Sequence, residues 1–578
     1  MDAILFSVLQ SAFKSIADEI NINMFRSAYS AVITEGRDIG AAIFDSNGHL
    51  IAQGESDLAV FVTMMEYSCR EVTSRYKGDI NEGDVFINND PFVGGTHFND
   101  VEIIKPVFYR GEFIGMVAIA GHWPDVGGST PGSLSPNAEE HFEEGLRIPP
   151  IKIMSRGSII GGVYDIILAN VRIPSERAGD LMAQISSVGI GEKRLNELAE
   201  KYSVKNLLEF MDQTISYACV MLEKEIEEIP NGEYSFYEYM DRESKYSDEP
   251  VKIALTMKVK GNRMEFDFSG SDPQTRSAAN STFSSTVSAV IVTIKSLFPD
   301  IPMNYGCFIP ISFIIPEGSV VNAKPPAAIS AMAATVYEKV IGVALGALSQ
   351  AVPEKSTGCP HGLINLTIGG VDTNTNQFYV AYLFSEGGFG GRAHKDGSAG
   401  LVSLFGGGAR ITPVEVFERK YPIMFSEWAL RKDSGGPGKF RGGNGSRKTF
   451  RLTHGHARLT ALGDREKFPP WGLFGGKESL YQGLVMNEGM SNEVNLTLKA
   501  SNYLIESGND VTILAAGGGG YGNPLERDVS MVMEDYIQGY ISIGHAKKAY
   551  GVIIENNKVN EKATEGLRAE MAIAGREL

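Results

Sequence analysis

The stretch DVFINNDPFVGGTHFNDVEIIKPVFYRGEFIGMVAIAGHWPDVGG, Asp84 to Gly128, sets the frame for the whole chain. Its opening DVFIN reads as a buried strand, because Val85, Phe86 and Ile87 form an unbroken apolar run. VEIIKPVFY and EFIGMVAIAG read as the arms of a hairpin with Arg110-Gly111 at the turn. NNDPFVGGTHFND before the hairpin and GHWPDVGG after it each place a histidine three residues before an aspartate, beside a Gly-Gly pair. His97 and Asp100 thus follow one strand, and His122 and Asp125 follow another. Only nine histidines occur in 578 residues, so the repeated pattern marks a candidate site.

A third strand end adds to it. Asp38, in TEGRDIGAAIFD, lies just before a strand-like run. Three loops at strand ends can converge on one point and offer two imidazoles with two or three carboxylates. Mixed N/O donors of that kind suit Zn²⁺, Mn²⁺ or Fe²⁺ with a position left open for water or substrate. Gly94-Gly95 and Gly127-Gly128 let backbone pass close to such ligands. A histidine near an aspartate is also an ordinary solvated surface pair, and spacing leaves both readings open.

Outward from this core, MDAILFSVLQSAFKSIADEININ predicts an amphipathic helix with Leu5, Val8, Leu9, Phe13 and Ile16 on one face. AAIFDSNGHLIAQ predicts two strands joined at Ser46-Asn47-Gly48, and DLAVFVTMMEYSCREVTSRY a helix. A long loop is expected from Gly121 to Arg147, then helices over 160–227. From about 231 alternating strands take over, GEYSFYEYMD and VKIALTMKVKGNRMEFDFSGS, the latter turning at Gly261-Asn262. STVSAVIVTIKSLF reads as a helix, as does AAISAMAATVYEKVIGVALGALSQAV, with Pro325-Pro326 as its N-terminal signal. After about 360 glycine-rich stretches such as GGFGG, SGGPGKFRGGNG and AAGGGGYGNP separate short strands and read as tight turns, and the closing segment is helical. The expectation is a large composite, mixed α+β fold: a 1–230 α/β metal-site region, a 231–425 mixed region, and a β-rich 426–578 region with a terminal helix.

Composition narrows function. Apolar residues make up 43% and charged residues 21% of the chain, as in a soluble enzyme. A net charge of -17 argues against nucleic-acid binding. Cys69, Cys219, Cys307 and Cys359 lie far apart without a CxxC pair, which fits free thiols in a reducing cytosol. Asp2 stands where an export signal is basic, and no apolar run is expected to approach the roughly 20 residues needed to span a bilayer. A cytoplasmic location without membrane contact is expected. GLFGGKES fails the phosphate-loop pattern on spacing and on Glu478 after the lysine. Neither GGSTPGS nor GGNGS supplies GxSxG, so a serine-hydrolase elbow is absent.

Several long segments resemble the hydantoinase B/oxoprolinase family. They include GRDIGAAIFDSNGHLIAQ, NNDPFVGGTHFNDVEIIKPVF, GHWPDVGGSTPGS, EEGLRIPPIKI, FDFSGSDPQTRSAANS, DREKFPPWGLFGG and AAGGGGYGNPLERD. The resemblance implies a divalent metal, Zn²⁺ or Mn²⁺, held by His97, Asp100 and His122 with a carboxylate matching Asp38. Asp38, Asp100 and His122 become the candidate catalytic residues. It also implies an A-type partner subunit of the actin/Hsp70-like ATPase class, which binds the ATP that this chain does not, in a heterotetramer or larger complex. The substrate would be a small cyclic amide of hydantoin, lactam or oxoproline type. The alternatives are a ketone carboxylated with bicarbonate, as in acetone or acetophenone carboxylases, and an idle scaffold subunit.

Two departures stand out. Trp123 replaces a second histidine of many hydantoinase-like members and is expected to shape the pocket, and Arg410 to Val414 differ from Asn-Thr-Pro-Val-Glu. His141, Glu143 and Glu144 are candidates for covering the site, set against plain solvated loop residues. Arg147 is a candidate anion anchor or the partner of a salt bridge within EEGLR.

Overall fold

The structure is a computed structural model that describes residues 2–55 and 57–574. Its first unit is built on a seven-stranded sheet in the order β2-β1-β5-β4-β3-β6-β7. The strands are β1 (Ile39–Phe44), β2 (Leu50–Gln53), β3 (Val85–Asn88), β4 (Asp100–Tyr109), β5 (Glu112–His122), β6 (Ile151–Ser155) and β7 (Ser158–Ile159). The β4–β5 hairpin turns at Arg110-Gly111 with both residues at positive φ, as the sequence predicts. Successive side chains of a strand point to opposite faces. Ala41, Ile43, Ile103, Val117 and Ile119 accordingly enter one core, while Ala42, Phe44, Ile104, Met116 and Ala118 enter another.

Helices cover both faces because both are apolar. On one side lie α1 (Ala3–Ser27), α2 (Ala31–Thr34), α4 (Gly161–Ala169), α5 (Pro174–Tyr202) and α6 (Val204–Glu227), with α3 (Ala59–Arg75) on the other. The buried stripe of α1 is Leu9, Phe13, Ile16, Ala17, Ile20 and Met24. Val8, expected on that stripe, is exposed because the contact runs further along the helix, toward Met24.

Beyond α3 a second sheet has the order β11-β10-β9-β8, built from β8 (Gly232–Met240), β9 (Val251–Lys260), β10 (Arg263–Asp267) and β11 (Ile311–Ile314). Between the two sheets lie α7 (Phe283–Leu297) and α8 (Val336–Ala351). The sequence predicts α8 starting just after Pro325-Pro326, but the helix begins at Val336. The backbone amides of Ile329 and Ser330 donate instead to the buried Glu144 carboxylate, at 2.9 and 2.6 Å, so a tertiary acceptor replaces the helical one. One segment among the described residues, Met332–Ala351, is long and apolar enough to cross a membrane, contrary to the expectation from the sequence. It is wholly buried inside the protein.

The remaining strands form two facing sheets. One has the order β13-β12-β16-β19 and the other β14-β15-β20-β17-β18. They comprise β12 (Asn365–Asp372), β13 (Gln377–Phe384), β14 (Ile423–Leu430), β15 (Ser446–Leu452), β16 (His456–Leu462), β17 (Gly483–Met486), β18 (Val494–Leu496), β19 (Lys499–Glu506) and β20 (Asp510–Leu514), with α9 (Val414–Lys420) before β14. Leu366, Ile368, Ala381 and Leu383 face the sandwich core. Tyr382 and Phe384 face the opposite way, into the core shared with the first sheet.

The glycine-rich segments differ from expectation. Rather than turns alone, many are extended chains packed backbone against backbone. Gly391 N donates to Gly519 O, Gly519 N to Cys359 O, and Gly436 N to Gly518 O, all at 2.8 Å. A Cβ at Gly442 would stand 1.8 Å from Gly518 O, so close approach is what requires glycine there. The chain closes with α10 (Val529–Ile537), α11 (Ile543–Tyr550), the β21–β22 pair (Ile554–Glu555, Lys558–Val559) and α12 (Glu561–Ala574) around a small core of their own. Buried Arg527 ties that unit on, bridging Asp396 and Asp535 at 2.7 Å each.

Candidate metal centre

The site lies at one end of three neighbouring strands, β1, β5 and β4. Asp100 opens β4, His122 closes β5, and the two are register partners. The His122 amide donates to the Asp38 carbonyl at 3.1 Å, which fixes Asp38 at the start of β1 beside them. His97 arrives from the loop after β3, and the Asp100 amide donates to its carbonyl at 3.0 Å. That loop is pinned by Asn89, whose side chain donates to Phe98 O and Leu146 O and accepts from Ile148 N.

The Asp100 carboxylate meets both rings. Oδ2 lies 2.7 Å from His97 Nδ1, and Oδ1 lies 3.0 Å from His122 Nδ1. The Thr96 hydroxyl donates to Oδ2 as well. The imidazole centroids are 5.2 Å apart. One ligand-type atom from each of His97, Asp100 and His122 falls within 4.8 Å of the others, and all three side chains are buried. Asp38 stands outside that set, though its carboxyl senses the charge of all three.

Burial and charge divide the two aspartates. Burial pushes Asp38 up to about 6, aided by the Asp100 charge and opposed by the imidazoles. Burial pushes Asp100 the same way, but the charges and hydrogen bonds of His97 and His122 outweigh it and hold Asp100 well below the usual carboxylate range. Burial acts to lower His97, and the Asp100 charge and hydrogen bond more than reverse it, so His97 is raised. Two like carboxyls thus have opposite tendencies.

The residues fit a divalent cation on two counts. The donor set is two imidazoles and a carboxylate, suited to Zn²⁺ or Mn²⁺. His122 Nε2 is fully enclosed with no protein partner among the described residues, and an unsatisfied buried polar atom is costly unless something meets it.

Other expectations come out differently. Asp125 does not join the cluster. Its carboxylate accepts from Gly127 N, Gly132 N and Arg172, the last at 2.7 Å, and it holds the 123–150 loop in shape. Trp123 turns away from the cluster, its side chain buried in the helical core with Nε1 donating to Gln184 Oε1 at 2.9 Å. The residue after His122 necessarily points to the other face of the sheet. Arg147 pairs with Asp90 at 2.7 Å rather than within EEGLR. Glu143 accepts the amides of Glu139 and Glu140 and caps its own turn. His141 is buried against Phe92, Phe98 and Phe142. Glu144 is buried and clamps the loop to Ile329 and Ser330. Burial pushes its carboxyl up to about 7 against those hydrogen bonds.

One neighbour escaped the sequence reading. The Tyr382 ring on β13 lies 4.8 Å from the His122 imidazole. Burial, and next the charges of Asp38 and Asp100, push its phenol well above the ordinary range, so it keeps its proton. YVAYLF is an unbroken apolar run like that of any buried strand, and nothing in it singles out Tyr382.

Comparison with known proteins adds the following. Residues 2–524 match the sequence profile described as Hydantoinase B/oxoprolinase. A Pseudomonas protein provisionally named as the B subunit of a D-/L-hydantoinase is 32% identical over 588 residues, covering 98% of each chain. The beta subunit of the Pseudomonas jessenii caprolactamase is 29% identical over 580 residues, covering 98% of this chain and 99% of that one. The crystal structure of ATP-dependent caprolactamase from that organism superposes with a TM-score of 0.91 at 28% identity, over 98% of this chain and 100% of that chain. A nucleotide-free acetone carboxylase superposes with a TM-score of 0.92 over 100% of this chain and 84% of that chain. Its identity is 18%, so that likeness concerns the fold alone.

Proposed function

The chain belongs to the hydantoinase B/oxoprolinase family, and from that premise we propose that it is the metal-dependent B-type subunit of an ATP-dependent enzyme that opens a cyclic amide. The single observation that carries the reading is the buried His97–Asp100–His122 cluster with its unpaired His122 Nε2. Full-length relatives named as the B subunit of a hydantoinase and the beta subunit of a caprolactamase support the substrate class and the need for a partner. The ATP would be bound by an A-type partner subunit, since no phosphate-binding loop occurs in this sequence. An unstrained amide resists hydrolysis, and coupling to ATP supplies the drive.

His97, Asp100 and His122 would hold Zn²⁺ or Mn²⁺. A cation held there supplies Lewis acidity toward a carbonyl oxygen. Asp100 takes one imidazole on each carboxylate oxygen and so fixes the orientation of both rings. The Asp38 carboxyl is raised to about 6, chiefly by burial. It is suited to accept a proton from water as that water adds to the ring carbon. The ring C–N bond then breaks and the nitrogen takes up a proton. The 123–150 loop, which follows His122, is held in shape by Glu144 and Asp125.

The test is to purify the chain with its copurifying partner, measure transition metal per protomer, and follow ATP turnover with hydantoin, 5-oxoproline and caprolactam. Stoichiometric metal and amide-stimulated turnover are expected, both abolished in His97→Ala. A wild-type complex without stoichiometric metal refutes the reading. Label retained from bicarbonate in an organic acid would move the assignment to ketone carboxylation.

A further inference from the structure

Two buried polar atoms, one on the first sheet and one on the sheet that faces it, lack a protein partner among the described residues. His122 Nε2 is enclosed and unpaired, and so is Thr367 Oγ1. Tyr382 is 8% exposed and its ring packs on the His122 imidazole. Thr367 and Tyr382 belong to neighbouring strands of the C-terminal half and are register partners in the antiparallel β12–β13 pair. Directly opposed residues put their side chains on the same face, with Cβ atoms roughly 5 Å apart. That face looks into the core shared with the first sheet, where Tyr382 meets His122. It also abuts the loop that follows His122, since a Cβ at Gly132 would stand 2.4 Å from Thr367 Cγ2.

A phenol hydroxyl can donate, and a threonine hydroxyl can accept as well as donate. A ring holds its amide in the cis form, so the carbonyl oxygen and the N–H lie side by side on one edge. Such an edge offers one acceptor and one donor, the complement of Tyr382 and Thr367. A ketone offers the acceptor alone.

We propose that Tyr382 and Thr367 form the substrate-recognition wall of this site, Tyr382 donating to the ring carbonyl oxygen and Thr367 accepting from the ring N–H of a cyclic cis-amide. This rests on the metal-centre reading above and assigns to the C-terminal half the choice between amide and ketone.

The test uses the metal-loaded complex with its partner subunit, and calorimetric titration with 2-pyrrolidinone, hydantoin and caprolactam, with cyclopentanone as the probe lacking N–H. Wild type is expected to bind at least one cyclic amide more tightly than cyclopentanone. Tyr382→Phe keeps the ring on His122 and should weaken amide binding roughly five- to tenfold with metal content unchanged. Thr367→Val should weaken the amide by a similar factor and leave cyclopentanone unaffected. Binding equal to wild type in both variants, with metal retained, overturns the wall and leaves the metal centre standing. Failure of all three amides to bind a metal-loaded wild type overturns it too. So does loss of metal in Tyr382→Phe, because the tyrosine would then only support His122. Absence of metal from wild type, and no difference on His97→Ala, is the separate signature of a failed metal-centre reading.

Discussion

Asp100 and His122 face each other as register partners of the β4–β5 hairpin, with the imidazole Nδ1 3.0 Å from the carboxylate Oδ1. A two-stranded antiparallel pair fixes such a juxtaposition without long-range help, because register sets which side chains meet. His97 then completes the cluster from only three residues upstream of Asp100.

Asp100→Asn keeps the size of the side chain but gives one of the two imidazole nitrogens a donor in place of an acceptor. Metal affinity, measured by elemental analysis after dialysis against graded metal concentrations, should fall at least tenfold, and the melting temperature should drop by the equivalent of about 1–3 kcal/mol. Unchanged metal content would show that Asp100 does not orient the rings.

Oε1 of Glu144 accepts from both Ile329 N and Ser330 N, and Oε2 accepts from Ile329 N at 2.9 Å, so Glu144→Gln sets an amide N–H against at least the Ile329 amide. An unsatisfied buried donor costs about 1–3 kcal/mol. Hydrogen exchange at residues 329–330 and proteolysis within 123–150 should both quicken, while distant α10–α12 amides stay protected. Equal protection in both proteins would rule out the clamp.

Gly442→Ala and Gly519→Ala each place a methyl group 1.8 Å from a carbonyl oxygen, of Gly518 and Trp471 respectively. Backbone on both sides leaves no room to yield, and soluble yield should collapse. Gly162→Ala, at the start of α4 with nothing within 4 Å, is the control and should be neutral or gain up to about 1 kcal/mol. Normal folding of Gly442→Ala would contradict the close backbone packing.

Glu338 sits buried in α8, and burial pushes its carboxyl from 4.5 up to about 7, against Ser403 and Arg465. A carboxyl raised in the folded state binds its proton more tightly there than when unfolded. Its stabilising contribution is therefore full below about 4.5 and is lost as pH rises through about 7. Glu338→Gln should flatten that decline, gaining up to about 3 kcal/mol on wild type at pH 8 and nothing at pH 4. Parallel melting curves across that range would show that the carboxyl does not titrate as stated.

The three clustered site residues were legible in the sequence because they lie within one strand-loop-hairpin stretch, where local register brings them together. Asp125 shares the spacing of Asp100 from its histidine. Its position in the loop, beyond the strand end, sends it to Arg172 and two glycine amides instead. Trp123 was expected to shape the pocket, and strand alternation sends it to the opposite face. The glycines were read as turns because sequence shows where a side chain is missing but not what approaches the gap.

By itself the sequence located the strands and the hairpin and marked two imidazoles and carboxylates near them as a candidate site. These depend on periodicity and on neighbours close along the chain. Tertiary structure alone decided where α8 begins, which chains pack on the glycines, and that Tyr382, the register partner of Thr367, stands against His122. Those contacts join segments far apart along the chain. Their partners are set by how whole sheets pack, which no local pattern encodes.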